Sequence, residues 1–471
     1  MAQPNPVKVL DVFDVAPPPR SPDSTAPETL PLTFFDLFWL RFAPTHRLFF
    51  YEFPCTKATL TDSILPKLKH SLSAALKYYL PVAGNLTWPP DSGKPILRYK
   101  EGDSISLTVA ESEVNFYRLS GTQFREPEEF HPFLPVLTVS ETRAPVLAFQ
   151  VTLFPDAGFS IGYAARHAVF DGKSIAMFMH SWASICRLGE ASTLTAGLTP
   201  YYDRSIINDP YDFEKPVLSF HLSHNGPNNR TLEIKDMETP LDVMLGTFQL
   251  TKANIESIKN WVEAKWQEKE KGKPAIRRPS TFAITSAYTW VHLIRARKLY
   301  TDKVQLFINV NCRARLEPPI PTTYFGNCVS MCIVDSDTNK LMGEDGVAVA
   351  ARAIGEAIRG LDDGVLNGAK ELMSQKRSIE KEGVIGIAGS PWLELYDTDF
   401  GWGRPKKVEM VSIMKTGAFS LSDARDGNGG IEIGVVLHKD ETEAFASMFA
   451  SGLIHHQAQA RLDSQKDLGI F

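Results

Sequence analysis

The chain has 471 residues, too many for one ordinary hydrophobic core, so two large domains are expected. With 43% hydrophobic and 22% charged residues it is composed like a water-soluble globular protein, and a net charge of −5 argues against a nucleic-acid binder. Five scattered cysteines (Cys55, Cys186, Cys312, Cys328, Cys332) suit neither a disulfide framework nor a metal site. No 18-residue apolar run and no signal-peptide pattern stand out, so a cytosolic protein with no membrane contact is expected.

Residues 1–31 read as a strand and a Pro-rich arm around Pro17-Pro18-Pro19. Leu32-Thr33-Phe34-Phe35-Asp36 follows, with Phe38, Trp39 and Leu40, and Leu48 to Tyr51 reads as a buried strand. From Ile64 apolar residues recur at helical spacing (Leu65, Leu68, Leu72, Leu76) until Pro81. Ile96 to Tyr99 and Ile105 to Val109 are short strands. Val146 to Phe154, a turn at Pro155-Asp156-Ala157-Gly158, and Phe159 to Val169 form a strand–turn–strand unit whose second strand delivers His167. A helix then carries Ile175, Phe178, Met179, Trp182 and Ile185 on one face.

Between about 196 and 245 the pattern thins into a crossover, dividing the chain into 1–195 and 246–471. Helices are expected from Lys252 to Lys269, from the Pro279-Ser280-Thr281 cap to Leu299, and from Ala348 to Leu361. Leu306 to Val310, Val408 to Lys415, Ala418 to Ser422 and Ile431 to Leu437 read as strands, the last two joined by an Asp426-Gly427-Asn428-Gly429 turn. Interleaved strands and helices on both sides of the crossover predict two α/β domains.

The segment that carries chemistry is His167-Ala168-Val169-Phe170-Asp171-Gly172. A histidine where a strand gives way to a helix is placed to act as a general base, because its ordinary pKa leaves much of it neutral near pH 7. His-x-x-x-Asp alone arises readily by chance, so it needs company. Two other motifs are decoys. Gly158-Phe159-Ser160-Ile161-Gly162 has the spacing of a serine-hydrolase elbow, yet alternation runs through Ser160, which puts it mid-strand. Asp423 to Gly430 is acidic and Gly-rich but lacks the ligand spacing of a calcium loop.

Asp399-Phe400-Gly401-Trp402-Gly403 matches no kinase context. Together with His167-x-x-x-Asp171 it resembles the plant BAHD acyl-CoA-dependent acyltransferases. Leu32 to Asp36, Gln150 to Pro155 and Tyr324-Phe325-Gly326-Asn327-Cys328 resemble the branch that acylates phenolic and flavonoid (anthocyanin) glycosides, malonyltransferases prominent among them. The likeness implies two chloramphenicol-acetyltransferase-like domains with mixed sheets, flanking helices and a solvent channel between them. It implies acyl-CoA, with malonyl-CoA favoured, as co-substrate, with no permanently bound cofactor and no metal. The expected partners are that thioester and a small phenolic glycoside, acting on a monomer.

By the same resemblance His167 is the base, Asp171 is turned away into a buried ion pair with Arg313, and Trp402 walls the pocket as an oxyanion donor. Asp399, Gly401 and Gly403 hold their loop. Ser280 and Thr281 match the family's Ser-Thr-Phe segment beside CoA, and the basic loop of Lys271, Lys273, Arg277 and Arg278 is expected on charge alone to meet the CoA phosphates. Lys173 is the candidate cation for a malonyl carboxylate. A hydroxycinnamoyl donor, a hydrolase using Ser160, and a catalytically idle binding protein are the alternatives.

Overall fold

The computed structural model describes residues 6–20, 26–139, 144–189, 194–224, 226–234, 237–269, 277–373 and 382–467. Twelve strands build two six-stranded sheets. Ahead of the crossover come β1 (Val7–Val15), β2 (Thr45–Tyr51), β3 (Ile105–Ser112), β4 (Leu147–Phe154) and β5 (Gly158–Ala165). After it come β6 (Val243–Leu250), β7 (Lys303–Asn311), β8 (Val329–Asp337), β9 (Val384–Ala388), β10 (Lys407–Met410), β11 (Phe419–Asp423) and β12 (Ile431–His438). The first sheet runs β1-β3-β4-β5-β2-β10 and the second β8-β7-β9-β11-β12-β6. Both are mixed: β3 and β4 are parallel, as are β7–β9 and β9–β11.

The first sheet shows why the hairpin sits at its centre. Leu147, Phe149, Val151 and Leu153 on β4, with Phe159, Ile161, Tyr163 and Ala165 on β5, share one apolar core at period two. Apart from Phe154, the other face carries small or polar residues. There Gln150 donates to the Pro132 carbonyl at 2.8 Å, and a Cβ on Gly162 would lie 2.5 Å from the Phe133 carbonyl. Only glycine permits that approach. Against the core pack α1 (Leu65–Tyr78) and α2 (Gly172–Leu188). The buried α2 face of Ile175, Phe178, Met179, Trp182 and Ile185 stabilises by about 1.5–3 kcal/mol per side chain. The second sheet is covered by α3 (Lys252–Lys269), α4 (Thr281–Arg297) and α5 (Gly346–Gly360).

The expected division at the crossover does not separate the sheets. β10, from the second half, pairs antiparallel with β2 and closes the edge of the first sheet. Its Glu409 meets Arg125 at 2.8 Å in a fully buried ion pair, and Val408 joins the first core. The expected long strand from Val408 ends at Met410, and a helical turn Ile413–Thr416 follows. A third apolar cluster draws on both halves, from Phe50, Phe133 and Phe154 to Leu245, Ile413 and Val436. The halves are therefore interlocked, and the site lies where they meet.

Candidate active site

β5 stops at Ala165, earlier than the strand expected through Val169. Arg166 still donates its main-chain N–H to Val146 (2.8 Å), but Val169 and Phe170 donate back to the Arg166 carbonyl (3.0 and 3.3 Å). His167 therefore stands in a tight turn between strand and helix. Asp171 then caps α2, its Oδ1 accepting from the Ser174 N–H at 2.8 Å.

His167 is half-buried and gripped from both halves of the molecule. From the first half, the Trp39 indole lies flat on the imidazole, with ring centroids 3.8 Å apart and planes 11° from parallel. From the second, Asn327 Nδ2 donates to the His167 carbonyl at 2.8 Å. Nδ1 is closed off and has no hydrogen-bond partner of good geometry. Burial holds the imidazole pKa below the ordinary histidine value. Its own main chain, the Asp171 carboxylate, the Asn327 side chain and the Asp36 carboxylate oppose that only in part. The ring is kept neutral, as a base must be.

Asp171 is fully buried and directed at Arg313, Oδ2 to Nη1 at 2.7 Å, while the same oxygen accepts from the Cys328 N–H at 3.1 Å. Burial raises the Asp171 pKa, but the Arg313 charge and these hydrogen bonds overcome it and hold the carboxyl below the usual aspartate range. Arg313 also donates to the Tyr324 and Gly326 carbonyls and to Asn311 Oδ1. This pair bolts the start of α2 to the second half. It is not a triad orienter, because the closed-off Nδ1 of His167 makes no hydrogen bond to the Asp171 carboxylate.

Two cavities flank this region. One of about 830 Å³ is lined by Ser280, Thr281, Asn309, Asn311, Trp392 and Arg404, among others. Ser280 caps α4, accepting from the Ala283 N–H at 3.1 Å, and Thr281 Oγ1 accepts from Lys259 at 3.0 Å. The positive end of the α4 dipole thus faces the cavity. The other, about 490 Å³, is apolar and aromatic: Phe34, Phe35, Phe38, Trp39, Phe42 and Met331 are in its wall. Asn309 on β7, the strand that leads towards Arg313, borders both.

Lys271 and Lys273 lie outside the described residues. Arg277 is exposed, and Arg278 is engaged by Glu256 (2.9 Å) and Glu263 (3.3 Å) on α3. Lys173 is half-buried on the first turn of α2, on the side of His180, whose Nε2 meets the Glu394 carbonyl at 3.1 Å.

Trp402 requires a correction. Asp399 Oδ1 accepts from the Gly401 and Gly403 N–H groups (2.7 and 3.0 Å), and both glycines have positive φ, +104° and +93°. A Cβ on Gly401 would lie 3.6 Å from Arg187 Cα, and Phe400 packs edge-on to Trp182. Trp402 itself packs against Phe53 and Phe159. Arg187 is at the C-terminal end of α2, about 24 Å from Asp171 at 1.5 Å per residue, and Phe159 is at the far end of β5 from His167. Trp402 cannot reach an oxyanion at His167. Ser160 is wholly buried mid-strand, which removes the hydrolase elbow.

The residues that sequence reasoning did not assign to the site are Trp39, Asp36, Asn309 and Asn327. Three of them lie in or just after segments that stood out as motifs, Leu32–Asp36 and Tyr324–Cys328, so the signal was present without a role.

The Transferase family model matches residues 18–451. Phenolic glucoside malonyltransferase 1 of Arabidopsis thaliana is 37% identical over 461 residues, covering 95% of this chain and 98% of that protein. The malonyl-CoA:anthocyanidin 5-O-glucoside-6''-O-malonyltransferase of the same plant is 39% identical over 459 residues, with 95% and 98% covered. Among solved structures, vinorine synthase shares the fold with a TM-score of 0.69 at 20% identity, covering 93% of this chain and 96% of its own.

Proposed function

Because the chain belongs to the Transferase family, the BAHD acyl-CoA-dependent acyltransferases, we propose that it moves a malonyl group from malonyl-CoA to a sugar hydroxyl of a phenolic or flavonoid glycoside. The observation that carries the mechanism is a half-buried imidazole, kept neutral where the two halves meet and stacked on Trp39, which lines the aromatic cavity. With Nδ1 closed off, Nε2 is the nitrogen left to take the acceptor's proton as its oxygen attacks the thioester carbonyl. The imidazolium then returns the proton to the departing CoA sulfur. A thioester is already activated, so no acyl-enzyme is required.

The cavity under the α4 N-terminus suits the CoA portion, with Ser280 and Thr281 nearest its anionic groups. The aromatic cavity suits the aglycone of the acceptor. Lys173 is the cation assigned to the malonyl carboxylate. Asp171 and Arg313 carry no proton in this scheme; they hold the turn that bears His167. A monomer acting in the cytosol completes the proposal, and size-exclusion chromatography tests the oligomeric part. Among the described residues no helix is long and apolar enough to cross a membrane.

The deciding experiment compares thiol release from malonyl-CoA and coumaroyl-CoA on one phenolic glucoside. The reading predicts a kcat/KM at least about tenfold higher for malonyl-CoA, or roughly 1.4 kcal/mol of discrimination. A strict coumaroyl preference overturns the malonyl assignment.

A further inference from the structure

A catalytic imidazole must be held in one orientation, and in a Ser-His-Asp triad a carboxylate does that. His167 has none. Both Asp171 oxygens are committed elsewhere, and Nδ1 finds no partner of good geometry. What meets the ring, besides the Asn327 side chain, is the face of Trp39 at 3.8 Å, only 11° from parallel.

Trp39 is itself firmly placed. It follows the single helical turn Phe34–Leu37, which Thr33 and the fully buried Asp36 cap reciprocally. Asp36 Oδ1 accepts from both the main-chain N–H (2.8 Å) and Nδ2 (3.0 Å) of Asn327. The same Nδ2 donates to the His167 carbonyl. One buried bridge therefore fixes the segment that carries Trp39 and the backbone of His167 relative to each other. The indole also packs edge-on to Phe42 and forms part of the aromatic cavity wall.

We propose that Trp39 is a positioning residue for His167: its indole face, held by the Asp36–Asn327 bridge, does the orienting that a carboxylate does in a triad. A stacked ring confines rotation about the histidine Cβ–Cγ bond while leaving the nitrogen edge open to substrate. An aromatic face also favours the imidazolium formed during transfer. The inference rests on His167 being the base and deepens that reading.

The test compares full-length Trp39→Leu and Trp39→Phe with the parent. Trp39→Leu is expected to lose about 10- to 100-fold in kcat, the size of effect that small misplacement of a reacting group produces, with the donor KM nearly unchanged. Its unfolding temperature stays close to the parent's, because Trp39 is only half-buried. Trp39→Phe keeps a flat ring and recovers most of the turnover. Without any substrate, diethyl pyrocarbonate modifies His167 several-fold faster in Trp39→Leu, read by peptide mapping. A Trp39→Leu enzyme with parental kcat, a loss confined to acceptor KM, or an unchanged labelling rate each overturns the proposal. The labelling needs no acyl donor, so it judges the stack separately from the choice of malonyl-CoA.

Discussion

Helix α2 has a conspicuous loop at each end, and the two behave in opposite ways. At its N-terminus, Arg166–Asp171 presents a half-buried imidazole with one nitrogen closed off and unpartnered. Against its C-terminal end, Asp399–Gly403 ties every feature down: the carboxylate takes two backbone N–H groups, and Phe400 is buried against Trp182. A half-buried titratable ring stacked on a cavity wall suits chemistry, whereas a loop closed by its own carboxylate suits architecture. Asp171 shows that both kinds can share one motif, since it lies four residues from His167 and is wholly committed to Arg313 and backbone donors.

Mutations at the two ends should separate accordingly. His167→Ala is expected to lower turnover by about 10²–10⁴-fold or more with the melting temperature unchanged; near-parental turnover erases the distinction. Asp171→Asn strands the buried Arg313 charge and should cost ~3–5 kcal/mol in denaturant unfolding. A soluble Asp171→Asn protein with parental stability but no activity would return Asp171 to the chemistry. At the other end, Gly401→Ala forces an L-residue into φ +104° and should cost about 1–3 kcal/mol while turnover per folded molecule holds. Loss of kcat in a stably folded Trp402→Phe variant would restore a catalytic role to that loop. The smallest effect belongs to Lys173→Met, a roughly fivefold rise in malonyl-CoA KM, as expected for about 1 kcal/mol from a half-buried charge. An unchanged KM removes Lys173 from donor recognition.

What was legible in the sequence was whatever is local. Period-two alternation through β5 and the helical pattern that follows locate His167 near the strand–helix junction, and Ser280 announces the start of α4. Partners supplied by distant segments were not legible from pattern. Trp39 is 128 residues from His167 and Asn327 is 160 away, and only the folding of both halves brings them together. β10 was readable as extended, but not as a strand of the other sheet, because four residues carry no address for their partner. Trp402 misled for the related reason that a prominent motif does not say which end of a helix it packs against. The Asp171–Arg313 pairing came from family likeness, and spacing alone left the triad open.

The account stands on one neutral imidazole taking the acceptor's proton. The measurement closest to that claim is the pH dependence of kcat/KM for acyl transfer in the parent enzyme, set against the residual activity of His167→Ala. Burial lowers the His167 pKa, so the parent should stay active to a pH below the ordinary histidine value of about 6.5 and then fall about tenfold per unit as the base is protonated. The residual rate of His167→Ala should lack that acid limb. The same limb persisting without His167 would mean that another group carries the proton.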